Sequence, residues 1–266
     1  MGARAVTISD GAAMNGHLLE ARGIVKSYGH VRALQGADFD VFPGEVAALV
    51  GDNGAGKSTL IKILSGTVQP DRGEIWFDGK TLLIETPIAA RHLGLETVYQ
   101  DLALAADLDP AANLFLGREI RQPGLRGRFG FIDKKAMREK AKDAFATLGI
   151  GLQDMDTEVA MLSGGQRQAV AVSRAVTWAS RVIFMDEPTA ALGVVQANKV
   201  LELVRRLRGS GMSVVLISHN LPQVFEVADR IQVLRLGRRV ATFRADQATM
   251  ERVVRAMTGA DVESAS

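Results

Sequence analysis

Gly51-Asp52-Asn53-Gly54-Ala55-Gly56-Lys57-Ser58 has the spacing G-x-x-x-x-G-K-[ST]. An apolar run that predicts a strand, Val46–Val50, precedes it. A segment whose apolar residues have the spacing of a helix, Lys57–Ser65, follows. Glycines let such a loop wrap closely around a phosphate, because a Cβ would obstruct the N–H groups that point inward. The helix that follows directs the positive end of its dipole at the same anion. The stretch therefore predicts a nucleoside triphosphate site, in which Lys57 reaches the β and γ phosphates and Ser58 binds Mg²⁺.

A second motif, Val182-Ile183-Phe184-Met185-Asp186-Glu187, places two carboxylates after four apolar residues. The apolar run predicts a buried strand, and ligands bind outside the carboxyl ends of strands in open α/β sheets. Asp186 is the predicted holder of the Mg²⁺ shell, and Glu187 the predicted general base that polarises the attacking water. Alone the motif is weak. Paired with the phosphate loop it predicts hydrolysis of a nucleoside triphosphate.

The third motif is Leu162-Ser163-Gly164-Gly165-Gln166-Arg167-Gln168. Small residues again precede a predicted helix, Gln166–Ala179, which makes a second preformed anion site. Ser163 can cap that helix while Gly164 and Gly165 expose their N–H groups. The alternative is a capped helix start with no ligand.

Taken together, the three motifs resemble the ATP-binding cassette of ABC transporters, and the third is similar to that family's signature motif. The resemblance implies that two cassettes meet head to tail, each signature loop (Leu162–Gln166) covering the γ-phosphate held by the other chain's phosphate loop. It further implies that residues Gly51 to Thr59 contact ATP and that Tyr28 stacks on adenine. Gln100 would contact Mg²⁺ and the water, and His219 the γ-phosphate.

Several short sequence segments resemble, more narrowly, cassettes of monosaccharide importers of the ribose, xylose and fructose type. These segments are VYQDLAL, EPTAALG, VLRLGRRVAT and MTGA. They imply a cytoplasmic subunit on the inner membrane that binds a second copy and membrane permease subunits, and works with a periplasmic or extracellular solute-binding protein indirectly. One departure is Gly193, where most of the family has the aspartate of its D-loop, which puts in doubt how two sites communicate.

The order of predicted elements gives the fold class. Helix and strand alternate from Ser163 onward, which predicts an α/β fold with a mainly parallel sheet and helices on both faces. An antiparallel β part precedes it, and a helical subdomain is inserted at 101–161. Its clearest helix starts at Asp133 and ends at Gly149, burying Met137, Ala141, Ala144, Phe145 and Leu148. Residues 18–260 are thus predicted to form one domain between flexible tails at 1–17 and 261–266.

Composition limits the alternatives. A formal charge of +2 does not call for a nucleic-acid partner, and the absence of cysteine excludes disulfides and thiolate metal sites. The longest apolar runs are strand-sized, so no membrane-spanning helix and no signal peptide are expected. Guanine is disfavoured because no N-K-x-D tetrad occurs. A soluble ABC ATPase acting on nucleic acid or ribosomes, a cassette powering export, and a cassette that binds ATP without hydrolysing it stay open as alternatives.

The segment Arg118–Lys142 is rich in arginine and lysine. A solvated loop leading into an amphipathic helix of mixed charge explains it simply. The other hypothesis is proximity to anionic lipid headgroups, since the resemblance places this lobe toward the membrane subunits.

Overall fold

A computed structural model of the protein describes residues 6–10, 16–147, 155–190 and 192–260. Its larger sheet has six strands in the order β11-β10-β4-β9-β8-β7. The pairs β10–β4, β4–β9 and β9–β8 are parallel, and β11 is added antiparallel to β10. The strands are β4 Val46–Val50, β7 Leu95–Val98, β8 Val182–Asp186, β9 Ser213–Ile217, β10 Arg230–Arg235 and β11 Arg238–Arg244. The three central strands β4, β8 and β9 are buried along their whole length, which explains why their sequences are continuous apolar runs.

The smaller sheet is antiparallel and has the order β1-β6-β5-β2-β3. Its strands are β1 Val6–Asp10, β2 Leu19–Tyr28, β3 Val31–Val41, β5 Arg72–Phe77 and β6 Lys80–Leu83. Val6–Asp10, within the tail predicted at 1–17, forms strand β1 and pairs with β6. Without β1, the edge of β6 would expose unpaired backbone N–H and C=O groups. Pairing with the backbone of β1 satisfies them. The remaining predicted tail residues, 1–5, 11–15 and 261–266, lie outside the described part of the chain.

The chain consists of two compact units. The first comprises Met1–Thr97, Ala179–Glu187 and Val204–Ser266, and so holds both sheets. Its helices are α1 Lys57–Leu64, α2 Pro87–His92, α8 Leu221–Val227 and α9 Met250–Thr258. One apolar core joins the sheets to α1, with Phe39, Leu60 and Phe184 fully buried. This packing fixes the start of α1 against the strand ends.

The second unit comprises Val98–Trp178 and Pro188–Leu203. Its helices are α3 Pro110–Leu114, α4 Leu125–Arg128, α5 Lys134–Thr147 and α6 Gly164–Trp178, and it holds the start of α7 Val194–Gly209. Its own core joins α3, α5 and α6 through Met137, Phe145 and Val170, among others. The predicted subdomain at 101–161 lies within this unit, which extends further to include the helix after the signature motif.

The alternation predicted from the sequence is present in the larger sheet, and the antiparallel β part is present in the smaller one. The helix predicted from Asp133 begins with Asp133 accepting a hydrogen bond from Ala136 N–H, and Met137, Ala141 and Phe145 are buried. Its predicted end, Leu148 and Gly149, lies outside the described residues. None of the helices in the described ranges has the length and apolar character needed to cross a bilayer.

Candidate functional site

The phosphate loop leaves the carboxyl end of β4 and enters α1 at Lys57. Gly51 and Gly56 both have positive φ angles, 152° and 105°. A Cβ on Gly51 would lie 2.1 Å from the Leu234 carbonyl oxygen, and one on Gly56 would lie 2.6 Å from the Ala33 carbonyl oxygen. Both positions therefore require glycine for conformation and for space. The close approach of the Leu234 and Ala33 carbonyl groups holds the loop in a tight curve at the start of α1.

Lys57 is buried under this curve. Its Nζ donates hydrogen bonds to the carbonyl oxygens of Gly51, at 2.6 Å, and Asp52, at 3.0 Å. Burial lowers the pKa of Lys57, an effect opposed by the charges of Glu187, Asp186 and Asp52. The ammonium group is thus anchored inside the loop, within the field of the carboxylates that follow β8.

The carboxyl ends of β4, β9 and β8 lie side by side. Ile217 of β9 is in register with Leu49 on one side and with Asp186 on the other. Asp186 is buried at the end of β8, close to the Ser58 side chain. Burial and the neighbouring Glu187 charge raise its pKa, while Ser58, Lys57 and Lys62 lower it. The strand order therefore brings Ser58 and Asp186, predicted to hold Mg²⁺, into contact.

Glu187 has a left-handed backbone, with φ 51°. Its N–H donates to the Ile217 carbonyl oxygen at 2.9 Å, and its Oε1 accepts from the His219 N–H at 3.0 Å. His219 Nδ1 lies 2.9 Å from the same Oε1. The glutamate side chain is 13% exposed, while that of the histidine is 67% exposed. The strained backbone of Glu187, held by β9, turns its carboxylate to the edge where Lys57 and Asp186 lie, as strain often does at functional sites.

Replacing Asp186 by Asn is expected to raise the melting temperature of the nucleotide-free protein. The pKa of Asp186 is raised in the folded state, so its ionised form destabilises the fold above that pKa, and the penalty disappears as pH falls through it. Asn keeps an acceptor for Ser58 without the charge. Each kcal/mol regained corresponds to about 2–4 °C in a domain of this size. Calorimetry at pH 8 and at pH 5 checks this: the gain should be larger at pH 8, and a lower melting temperature at both would contradict it.

Tyr28 ends β2 and opens the hairpin to β3. Its side chain is 47% exposed, and Lys26 Nζ lies 5.8 Å from the centre of its ring. Strand β3, its partner, supplies the Ala33 carbonyl that lies against Gly56. The hairpin that carries Tyr28 thus packs on the phosphate loop through β3, and an exposed ring is free to stack.

In the second unit, the signature loop forms a reciprocal cap at the start of α6. Ser163 Oγ accepts from Gln166 N–H at 3.3 Å, and Gln166 Oε1 accepts from Ser163 N–H at 2.9 Å. A Cβ on Gly164 would meet no atom within 4 Å, and one on Gly165 would lie 3.5 Å from Leu192 Cδ2. The space beside Gly164 is therefore open, whereas Gly165 lies against Leu192; the first turn of α6 begins at this open side.

Gln100 is exposed and borders a cavity of about 320 Å³ in the second unit. Gly164, Arg167 and Gln168 border the same cavity, so the loop after Gln100 and the signature helix face each other.

Arg174 is a positioning residue that sequence reasoning missed. Leu102 and Ala103, just after Gln100, have positive φ angles of 62° and 46°. The Arg174 guanidinium on α6 donates to both of their carbonyl oxygens, at 3.0 and 2.7 Å. These charge-assisted bonds hold two strained residues in place. No local sequence signal identifies the pair, because the acceptors are backbone groups more than 70 positions away.

Gly193 stands where the resemblance expects an aspartate. Its carbonyl accepts from Ala197 N–H at 2.9 Å, so it precedes α7 as a helix cap. Glycine is tolerated at this position at a cost of a few tenths of a kcal/mol relative to a side-chain cap. The helix start is thus preserved without the carboxylate.

Comparisons with known proteins agree on one family. The family described as "ABC transporter" matches residues 34–190. The chain is 53% identical over 245 residues to the fructose import ATP-binding protein FrcA of Rhizobium meliloti, covering 91% of this chain and 94% of that protein. It is 49% identical over 241 residues to the xylose/arabinose import ATP-binding protein XylG of Sulfolobus acidocaldarius, with the same coverage. A solved ATP-binding cassette of an ABC transporter in its ADP conformation superposes with a TM-score of 0.74 at 27% identity, over 94% of this chain and 98% of that one.

Proposed function

The chain belongs to the ABC transporter family of ATP-binding cassettes, and on that premise we propose that it is the ATP-hydrolysing subunit of a monosaccharide importer. The observation that carries the proposal is the grouping of Lys57, Ser58, Asp186, Glu187 and His219 at one edge of the larger sheet. Nucleotide binding follows from the family. Sugar import is supported by relatives that are named for fructose and xylose/arabinose import and are matched over nearly their whole length.

ATP binds with its phosphates in the loop from Gly51 to Thr59 and its adenine on Tyr28. The Lys57 ammonium group leaves the carbonyl oxygens of Gly51 and Asp52 and neutralises the β and γ phosphates. This exchange replaces two neutral acceptors by anionic ones, which strengthens each hydrogen bond. The exposed Tyr28 ring leaves its face accessible to the base.

Mg²⁺ fits the oxygen donors of Ser58 and Asp186, with Gln100 of the second unit as a further proposed ligand. A magnesium ion in a nucleotide site uses one or two carboxylates plus phosphate oxygens and waters, and does not need a cage of protein ligands. When bound, the ion neutralises charge on the phosphates.

Glu187 acts as the general base. Its carboxylate accepts a proton from the attacking water, while the hydrogen bond from His219 N–H fixes the position of Oε1. The exposed ring of His219 reaches the γ-phosphate. A carboxylate aimed by a strained backbone needs little reorganisation during the reaction.

A second copy of the chain completes the site, with its Leu162–Gln166 loop on the γ-phosphate. Closing of the two copies then moves permease subunits at the cytoplasmic face of the inner membrane, and a periplasmic or extracellular solute-binding protein delivers the sugar. ATP shifts the equilibrium toward the closed pair of chains only to the extent that it binds the closed pair more tightly than the open one. No nucleic-acid partner is proposed.

Uptake by a reconstituted complex tests the function. The chain, its permease and its solute-binding protein would be placed in proteoliposomes with internal ATP and with labelled fructose, xylose, arabinose or ribose outside. We expect accumulation of at least one of these sugars, lost when Lys57 is replaced by Met. ATP hydrolysis with no movement of any monosaccharide would overturn the transport assignment and leave the ATPase intact.

A further inference from the structure

Residues 121–132 of the second unit form an ordered loop that the ATPase site does not use; we name it the arginine–phenylalanine loop. An isolated β-bridge joins Arg121 to Ile132, and Gln122 N–H donates to the Phe131 carbonyl at 2.9 Å. The short helix α4 lies between these ends, and Phe131 N–H donates to the Arg126 carbonyl at 3.1 Å. The backbone is therefore tied to itself at its base and along its length.

Gly127 shows how tightly the loop is folded. A Cβ at this position would lie 1.9 Å from the Gln122 carbonyl oxygen, so the helix lies directly on the strand-like base. Any side chain larger than glycine at position 127 would therefore push the helix away from this base.

Three large apolar side chains of this loop are more than half exposed. Leu125 is 71% exposed, Phe129 80% and Phe131 58%. Leu125 and Phe129 are one helical turn apart and so lie on the same side. Single exposed apolar residues are ordinary, whereas three within seven positions on an ordered protrusion indicate a binding surface.

Cationic side chains surround these apolar ones. The loop holds three arginines, Arg121, Arg126 and Arg128, and no acidic residue. All three are exposed, and none forms an ion pair with an acidic residue in the part of the chain that the structure describes. Lys134 and Lys135 follow at the start of α5. The charge of the surface is thus complementary to an anionic partner.

We propose that the arginine–phenylalanine loop inserts into the headgroup region of an anionic lipid bilayer. Aromatic and leucine side chains enter the boundary between headgroups and acyl chains, while arginines bind the lipid phosphates. The proposal adds to the proposed importer function a direct contact between cassette and membrane, independent of the permease.

A lipid surface suits this loop better than a second protein. Its apolar side chains are exposed and flanked by exposed arginines, and a fluid anionic interface accommodates such side chains without a matching cavity. Protein interfaces of standard size bury about 800 Å² on each side, more than three side chains provide. The small tip, with its flanking arginines, is the size of an interfacial anchor.

Vesicle co-sedimentation of the purified full-length chain tests the proposal without ATP or permease. Vesicles of phosphatidylcholine with 30 mol% phosphatidylglycerol, at about 0.1 M salt, would be compared with pure phosphatidylcholine. We expect binding to the anionic vesicles only. Neutralising two arginines with Arg126→Gln and Arg128→Gln should weaken it about 30-fold, since each cation near such a surface contributes roughly a fivefold factor. Phe129→Ser with Phe131→Ser should reduce binding at least tenfold.

A matched control removes two exposed cations from the first unit, Arg32→Gln and Lys80→Gln. It should bind vesicles as the wild type does if the loop, and not net charge, is responsible. The proposal is overturned if this control loses as much vesicle binding as the loop variants do. It is also overturned if the wild type does not bind anionic vesicles. Unchanged vesicle binding by the loop variants, with weaker binding to permease in detergent, assigns the loop to the permease instead. ATP hydrolysis should be unaffected in every variant, so a failure here leaves the proposed function standing.

Discussion

Glu187→Gln is expected to lower the rate of ATP hydrolysis by about 10²–10⁴-fold, the usual contribution of a general base. Glutamine has the same length and keeps an oxygen that can accept the hydrogen bond from His219 N–H, now at 3.0 Å. It cannot accept a proton from water. ATP affinity should therefore change little, and the variant should accumulate as an ATP-bound dimer.

Single-turnover hydrolysis, equilibrium nucleotide binding and size-exclusion chromatography with Mg²⁺ and ATP check these three results. Glu202→Gln, an exposed glutamate on α7, makes the same chemical change away from the site and should behave as the wild type. Turnover close to wild type in Glu187→Gln would remove Glu187 from its role as base.

Gly51→Ala is expected to weaken ATP binding by about 100-fold or more. The added Cβ would lie 2.1 Å from the Leu234 carbonyl oxygen, on a residue whose φ is 152°. Backbone strain and overpacking contribute about 1–3 kcal/mol each, and about 1.4 kcal/mol corresponds to a tenfold change in affinity. The loop must move away from β10, which turns its N–H groups from the phosphates.

Gly54→Ala in the same loop is the matched control. Gly54 also has a positive φ, 80°, but a Cβ there meets no atom within 4 Å. Only the conformational penalty of about 1–2 kcal/mol applies, so ATP binding should weaken by roughly tenfold. Titration with a fluorescent ATP analogue measures both variants, and circular dichroism confirms that each is folded. Equal losses in the two would show that the close contact with Leu234 does not shape the site.

The placement of the predicted site residues of the first unit could be anticipated because each motif is continuous in sequence. The phosphate loop and the Asp186–Glu187 pair both follow short apolar runs, and parallel strands bring their carboxyl ends to one edge. In the structure, Leu49, Ile217 and Asp186 lie in register on the neighbouring strands β4, β9 and β8, which brings the ends of these strands together. The roles of Gln100 and of the signature loop stay predictions.

Other features had no local signal. Strand β1 depends on a free edge of β6, which its own five residues do not reveal. Arg174 acts on carbonyl groups distant in sequence, and the left-handed backbone of Glu187 is imposed by its hydrogen bond to β9. The close approach of Gly127 to Gln122, which fixes α4 in its loop, likewise has no local signal. In each case a long-range contact decides a local conformation.

Cross-linking between two copies tests the central claim, that the phosphate loop of one chain is covered by the signature loop of another. The chain has no cysteine, so two single-cysteine variants, Asn53→Cys and Met161→Cys, can be mixed in the Glu187→Gln background. Asn53 is exposed in the phosphate loop, and Met161, 78% exposed, lies beside Leu162. With Mg²⁺ and ATP, a short bismaleimide should join the two variants to each other far more than either to itself. A mixture that gives no such product with ATP, or gives as much without it, would contradict the account.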